Sequence, residues 1–148
     1  MEKSKKPLKV FISQPMNGKS DDEIQFTRSI IMYKLNHLRF SIRDVQNKNM
    51  ADTLANWNGK FELIDTIFDD FETNTPPLFY LGESIKALGS ADIVIFAPDW
   101  QYARGCRIEH ACCELYNLAK IELSAIDCSI KISLSTMYGV MNGDECVV

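Results

Sequence analysis

The stretch ADIVIFAPDWQYARGCRIEHACCELYNLAKIEL, residues 91 to 123, decides the fold, because it carries in succession the patterns of a strand, a loop, a helix and a second strand. The apolar run at 93–97 is too short for a helix and rich in β-branched residues, as expected for a parallel strand covered on both faces. From Gly105 onward, apolar residues recur at intervals of three and four, which predicts a helix with one buried face. That face is expected to contain Ile108, Ala111, Cys112, Leu115 and Leu118.

The rest of the chain repeats this alternation of strands and helices. Strands are predicted at 8–12 and 61–66, and a helix is predicted at about 78–89. Another helix begins after Ser20, whose hydroxyl is expected to accept from the N–H of Glu23 in a capping box. The order predicts an α/β fold: a doubly wound, mainly parallel sheet of about four or five strands with helices on both faces, a Rossmann-like or flavodoxin-like three-layer sandwich.

Length and composition favour one ordinary globular domain. The chain has 148 residues, of which 46% are hydrophobic and 24% are charged, which matches average globular usage. A net charge of −4 gives no support for binding a nucleic-acid polymer. No secretory signal or membrane-length apolar run is found, so a cytoplasmic protein is expected. Five cysteines without a C-x-x-C pair and only two histidines predict neither a metal site nor a cofactor.

Glu109 lies in the first turn of the helix in the opening stretch, at the edge of the sheet where open α/β folds bind ligands. It is about 100° around the helix from Ile108, so its carboxylate is expected to face a crevice rather than the core. Arg104, Arg107 and the free N–H groups around Gly105 are expected to surround the carboxylate and keep it ionised. Acidic residues also favour a first helical turn for stability alone, so both interpretations remain open.

Four short words along the chain resemble one known family. They are ISQPMNGK at 12–19, YLGESI at 80–85, ADIVIFAPDW at 91–100 and RGCRIEH at 104–110. Together they resemble a bacterial and phage family of uncharacterised small proteins within the nucleoside 2-deoxyribosyltransferase-like superfamily. The resemblance implies a core at 8–123, with an insertion at 40–59 and a C-terminal extension at 124–148. It also implies a homo-oligomer, since the relatives are oligomers.

The resemblance implies roles for particular residues. In the transferases and related N-glycosidases, a Gly-x-x-x-Glu word supplies the nucleophile that attacks the sugar C1′, and Gly105 and Glu109 match that word. The loop after the first strand lies over the sugar in these relatives. The candidates for binding ribose or phosphate in that loop are therefore Ser13, Gln14, Asn17 and Gly18. Turn chemistry is an equally good explanation of Asn17 and Gly18.

Two positions depart from the pattern of the active relatives. An aspartate eight residues before Asp92 is replaced here by Ser84, with Glu83 beside it. An acid six residues before the nucleophile is replaced by Ala103. Either Glu83 or Asp99 is expected to take over as the acid, with Ser84 kept as a substrate-binding candidate, or the chemistry has changed or been lost.

Other residues near these words suggest contacts with a nucleoside or nucleotide. Asp65, at the end of a predicted strand, could accept a hydrogen bond from a ribose hydroxyl. Trp100, in the loop before Gly105, offers a flat surface for stacking on a base. Arg104 or Arg107 could hold a 5′-phosphate.

Three functional hypotheses follow. The first is an enzyme of the N-glycosidic bond, a hydrolase or a transferase, acting on a small nucleoside or nucleotide with Glu109 as nucleophile. The second is a nucleotide-binding or sensor module without catalysis, which explains Ser84 and Ala103 more simply. The third is cysteine chemistry at Cys106, whose pKa the helix start and Arg107 are expected to lower, although its neighbour His110 has no obvious acid partner.

Overall fold

The computed structural model describes residues 4–38, 45–66 and 75–124. Its strands are β1 (Lys6–Ser13), β2 (Trp57–Leu63), β3 (Ile93–Phe96) and β4 (Lys120–Glu122). Its α-helices are α1 (Asp21–Tyr33), α2 (Ala51–Ala55), α3 (Pro77–Leu88) and α4 (Arg104–Leu115). A π-helical turn (Lys34–Leu38) extends α1, and a 3₁₀ turn (Trp100–Tyr102) precedes α4.

The strands form one four-stranded parallel sheet in the order β2-β1-β3-β4. The chain moves from β1 outward to β2 and then crosses to β3 on the other side of β1. The direction of winding therefore reverses between β1 and β3. Ser13 pairs with Phe96 at the carboxyl end of these two strands, so the loops that follow them leave the sheet side by side. A crevice at such a reversal is where open α/β sheets bind ligands.

Alternating side chains of the strands enter two separate cores. Val10 and Ile95 point to one face and pack with Ile31 of α1, whereas Phe11 and Phe96 point to the other face. The second face is covered by residues of α3 and α4. Each fully buried aliphatic or aromatic side chain contributes about 1.5–3 kcal/mol to stability. The predicted α/β fold with helices on both faces of a parallel sheet is confirmed.

The start of α1 follows the sequence pattern. Ser20 is the N-cap, and its hydroxyl accepts a hydrogen bond from the Glu23 N–H at 3.2 Å. Three acidic residues occupy the first turn, where they complement the positive end of the helix dipole. The helix therefore begins immediately after the loop that leaves β1.

The buried face of α4 differs from the predicted one. Ile108 is 41% exposed and Leu115 is 81% exposed, whereas Cys106, Glu109 and Cys113 are buried. These three residues are separated by three and four positions, so they share one face of the helix. Glu109 makes a polar contact with Ser13, and Cys113 packs with Phe11 and Phe96 of the sheet. These contacts outweigh the apolar periodicity.

The start of β2 also differs from its prediction. The sequence predicts a strand at 61–66, but β2 begins four residues earlier, at Trp57, so that Asn58 and Gly59 lie within it. Trp57 starts the strand because it pairs with Lys6 and packs its ring on Phe61, with centroids 5.2 Å apart. Gly59 has a φ of +86°, which accommodates a shift in strand register at this point.

The proposed domain boundaries remain predictions. Part of the predicted insertion, residues 40–44, and all but the first residue of the predicted C-terminal extension lie outside the described residues. Among the helices of the described ranges, none has the length and apolar composition that crossing a membrane requires.

The placement of α3 and α4 can be tested by a matched pair of truncations. Leu88→Ala removes a side chain that is 1% exposed and should lower the free energy of unfolding by about 2–5 kcal/mol. Leu115→Ala removes an exposed side chain and should change it by less than about 0.5 kcal/mol. Urea unfolding of both variants measures the difference. A comparable loss at the two positions would mean that α4 is rotated toward the face that its apolar periodicity predicted.

Candidate functional site

A cleft of about 840 Å³ opens at the carboxyl edge of the sheet, where the strand order reverses. Its wall is formed by the loop after β1, the start of α4, the 3₁₀ turn and one side of α3. The predicted site residues that line it are Gln14, Asn17, Ser84, Asp99, Arg104, Gly105 and Glu109. The sequence words that resembled one family are thus brought together around one cavity.

Glu109 is the buried acid of this cleft. Its side chain is 7% exposed, and one carboxylate oxygen accepts a hydrogen bond of 3.0 Å from the hydroxyl of Ser13. Ser13 is the last residue of β1. Glu109 lies in the second turn of α4, not in the predicted first turn, because the helix already begins at Arg104. The contact joins two elements that are 96 residues apart in the chain. It also holds the carboxylate at the cleft wall.

Burial raises the pKa of Glu109 to about 7, although the hydrogen bond from Ser13 and the positive charge of Arg28 act in the opposite direction. The sequence predicted a carboxylate kept ionised by Arg104 and Arg107, and this electrostatic expectation is wrong. Both arginines are exposed, so water screens their charges. The cation that acts on Glu109 is Arg28 of α1. A carboxyl group that titrates near neutral pH suits acid-base or nucleophilic chemistry.

Arg28 was missed in the sequence analysis. It is 2% exposed, and it donates from Nε to the side-chain oxygen of Gln14 at 2.8 Å and from Nη2 to the hydroxyl of Thr66. A signal was available, since Arg28 lies four residues after Ile24 and three before Ile31, on the buried face of α1. Apolar periodicity alone does not indicate a charged residue on the buried face of a helix.

The predicted binding residues in the loop after β1 differ in whether they line the cleft and in what their side chains contact. Asn17 is exposed and lines the cleft, whereas Gly18, with a φ of +76°, does not line it and allows the chain to turn. Gln14 lines the cleft, but its amide already bonds within the protein. Its oxygen accepts from Arg28, and its nitrogen donates to the carbonyl of Ile24 at 3.3 Å. The Gln14 side chain is therefore part of the support of the cleft.

The two candidate replacement acids, Asp99 and Glu83, lie in different places relative to the cleft. Asp99 is exposed at the cleft and adopts a left-handed backbone conformation with a φ of +68°, which aspartate tolerates better than most residues. Glu83 is not among the lining residues, and it forms an ion pair of 3.3 Å with Lys86 on α3. Ser84, its neighbour, does line the cleft. Of the two acids, Asp99 is the one at the cleft.

Trp100 is not among the residues that line the cleft. Its ring stacks on His110, with centroids 4.0 Å apart and planes inclined by 13°, and it also contacts Phe96. The aromatic residues that line the cleft are Phe11, Tyr80 and Tyr102, and Tyr102 is 87% exposed. A tryptophan in this loop packs against α4 because that contact buries both rings. The sequence pattern cannot distinguish this packing from a stacking surface for a base.

Asp65 and Arg107 also lie outside the cleft lining. Asp65 is exposed directly after β2, and its charge raises the pKa of Arg28, whose burial acts in the opposite direction. Arg107 is exposed on α4. The carboxylate of Asp65 therefore influences the site through Arg28.

Cys106 lines the cleft, but the prediction of a reactive thiolate is wrong. Burial raises the pKa of its thiol to about 11, and the negative charge of Glu109 raises it further, against the effect of a hydrogen bond with Ser13. The expected influence of the helix start is outweighed by the loss of water around the sulfur. The thiol is therefore protonated at neutral pH.

A second polar cluster lies between α4 and β4. His110 contacts the carboxylate of Glu122, and the ligand atoms of His110, Glu114 and Glu122 all lie within 4.8 Å of one another. His110 thus has the acid partners that the sequence did not indicate. Such a set of atoms could ligate a metal ion, but the ammonium of Lys120 already lies 2.7 Å from Glu122 and 3.1 Å from Glu114. The cluster therefore contains its own cation.

The charges of this cluster hold the helix that carries Glu109. Burial alone would lower the pKa of Lys120, but its hydrogen bonds to Glu122 and Glu114 prevail and the pKa is raised. Burial likewise raises the pKa of Glu122, but the bonds from Lys120 and His110 lower it overall. Both shifts favour the charged forms. The ion pairs therefore tie α4 to the edge strand β4.

No family model, no curated protein and no solved structure matches this chain. The family resemblance of the four sequence words thus has no support from these comparisons. What the structure shows is a small α/β domain with a four-stranded parallel sheet, and a buried acid at the carboxyl edge of that sheet.

The raised pKa of Glu109 predicts a pH dependence of stability. The unfolded chain releases the proton of this residue near its usual pKa of about 4.3, whereas the folded protein retains it until about pH 7. The proton bound to Glu109 therefore stabilises the folded protein fully at pH below 4, and this stabilisation is lost as the pH rises to 7. Over this range the free energy of unfolding should fall by about 3 kcal/mol relative to that of Glu109→Gln, whose side chain does not titrate. Urea unfolding of both proteins at intervals of half a pH unit measures it. A constant difference between them would contradict the raised pKa.

Proposed function

We propose that this protein cleaves the N-glycosidic bond of a nucleoside or nucleotide, with Glu109 as the nucleophile. The observation that carries the proposal is the buried carboxylate of Glu109 in the cleft between the ends of β1 and β3, held by Ser13. A carboxylate is the common nucleophile for displacement at a sugar C1′. The resemblance of the four sequence words also implies action on an N-glycosidic bond. That activity remains a proposal.

The cleft has the dimensions and lining that a nucleoside needs. Its volume of about 840 Å³ lies within the range of small-molecule sites, which runs from about 300 to 1,000 Å³. Tyr80, Leu81 and Tyr102 provide apolar and aromatic surface on one side for a flat base. Asn17 offers hydrogen bonds to a sugar from the loop after β1.

The charges at the cleft favour a substrate with a negative group. Lys19 and Arg104 both line the cleft, and both are exposed. A 5′-phosphate placed between them would gain two charge-assisted contacts. Nucleoside 5′-monophosphates are therefore the preferred substrates within this proposal.

In the proposed reaction, one carboxyl group is the nucleophile and a second one is the proton donor. An oxygen of ionised Glu109 forms a bond to C1′ while the bond from C1′ to the base nitrogen breaks, and protonated Asp99 gives its proton to the leaving base. Water then attacks C1′, transfers a proton to Asp99 and releases the Glu109 carboxylate. If a second base replaces water, the protein is a transferase. Because the pKa of Glu109 is about 7, loss of the ionised nucleophile is expected to lower the rate as the pH falls through neutrality.

A nucleotide-binding module without catalysis is the second candidate. Ser84 and Ala103 favour it, since both line the cleft at positions where the active relatives carry acids. Such a module would use the same cleft and the same cations. It differs from the enzyme in leaving the glycosidic bond intact.

Release of free base distinguishes the two candidates. The purified protein is incubated with ribonucleosides, deoxyribonucleosides and their 5′-monophosphates, and free base is measured by chromatography. The enzyme proposal expects release by the wild type, with a rate on monophosphates above that on nucleosides, and at least about 10³-fold less release by Glu109→Gln. Glu62→Gln, which removes an exposed carboxylate on β2, is the matched control and should retain the wild-type rate.

Three other outcomes have defined meanings. Adding a second free base and finding exchange would identify a transferase. Binding of a monophosphate without base release from any substrate would establish the module in place of the enzyme. Loss of release in Cys106→Ser with retention in Glu109→Gln would instead favour cysteine chemistry.

A further inference from the structure

One buried charge of this fold has no role in the proposed reaction. Arg28 lies on α1, which runs on the opposite face of the sheet from α4, yet its guanidinium reaches the carboxyl edge of the sheet. There it donates to the oxygen of Gln14 after β1 and to the hydroxyl of Thr66 after β2. Both acceptors line the cleft. Arg28 therefore lies behind the cleft wall rather than in it.

Burying a guanidinium at 2% exposure is costly unless other charges compensate for the lost water. Burial lowers the pKa of Arg28, and the negative charges of Asp65 and Glu109 raise it. The dependence is mutual, because Arg28 in turn lowers the pKa of Glu109. Among the described residues, Arg28 is the cation that acts on this carboxyl group.

The other groups around Glu109 have little charge at neutral pH. Ser13 of β1 provides a neutral hydroxyl, and on α4 burial raises the pKa of Cys106 to about 11 and that of Cys113 to about 12. Asp99 and Arg104 line the same cleft but are exposed, so water screens them. The electrostatic partner of Glu109 is consequently on α1 rather than on its own helix.

We propose that Arg28 is a positioning residue of this site, whose buried guanidinium acts as the counter-charge of the Glu109 carboxylate and fixes the Gln14 and Thr66 sides of the cleft. The inference rests on the proposed function for its catalytic meaning, whereas the electrostatic coupling exists without it. Arginine suits the role because its planar group donates to two acceptors while it stays charged. The amide of Gln14 is held between Arg28 and the carbonyl of Ile24, so the cleft wall depends on this contact.

The coupling can be measured directly on the carboxyl group. Protein labelled with ¹³C at the glutamate side-chain carboxyls is titrated by NMR, and the signal of Glu109 is identified by its loss in Glu109→Gln. Arg28→Met, which removes the charge, should raise the pKa of Glu109 by about one unit or more above the wild-type value. Arg28→Lys retains the charge and should produce a much smaller rise. Lys34→Met is the matched control, because it removes another buried cation from the same helical run, and it should leave the titration unchanged.

A second variant allows the same measurement if the first variant does not fold. If Arg28→Met does not fold, Arg28→Gln keeps hydrogen-bonding groups for Gln14 and Thr66 without the charge, and the same rise is expected. A pKa of Glu109 that stays at the wild-type value in the folded uncharged variant would overturn the inference. A rise equal to that of the Lys34→Met control would overturn it as well.

The outcome is separable from that of the proposed function. If the protein releases base, the acidic limb of its pH-rate profile should move to higher pH in Arg28→Met by the same amount as the titration. If the titration moves but no substrate releases base, the counter-charge role stands and the proposed enzyme fails. If base is released but neither the titration nor the acidic limb moves, the enzyme stands and the role of Arg28 fails.

Discussion

The contact between the Ser13 hydroxyl and the Glu109 carboxyl group joins the end of the central strand to the helix that follows β3. Because β1 is the strand from which the sheet is built outward in both directions, this contact also defines one wall of the crevice at the reversal. A carboxyl group at 7% exposure is unfavourable when ionised, and one hydroxyl cannot replace the water that it loses. The site is thus built around a group whose charge the protein must support by other means.

Charges on both sides of the sheet contribute to the site: one acts on Glu109, and the other group positions the helix that carries it. On the α1 side, Arg28 contributes a buried positive charge near Glu109. On the other face, the ammonium of Lys120 holds Glu114 and Glu122 together and so fixes α4 against β4. Lys120 is buried but Glu114 and Glu122 are partly exposed, and such ion pairs add little net stability while restricting how two surfaces meet. Here they specify the rotation of the helix that carries the cleft acid.

Much of the fold was predictable from local patterns. The four apolar residues of β3 and the capping serine of α1 each indicate their own element, because strand burial and helix capping act over a few residues. The position of Glu109 at the carboxyl edge followed from this order. The environment of Glu109 did not follow, since Arg28 is 81 residues away in the chain. Likewise Trp100 looked suited to stacking on a base, and its contact with His110 became visible only when the loop was placed on α4.

The sequence by itself determined the alternation of strands and helices, the parallel sheet, and the presence of an acid on α4 near the carboxyl edge of the sheet. These depend on side-chain periodicity and caps, which neighbouring residues establish. The tertiary structure alone decided which face of α4 is buried, that Glu109 has a pKa near 7, and that its counter-charge comes from α1. The physical reason is that desolvation and Coulomb interactions depend on every group within a few ångströms, and the chain brings those groups together only when it is folded.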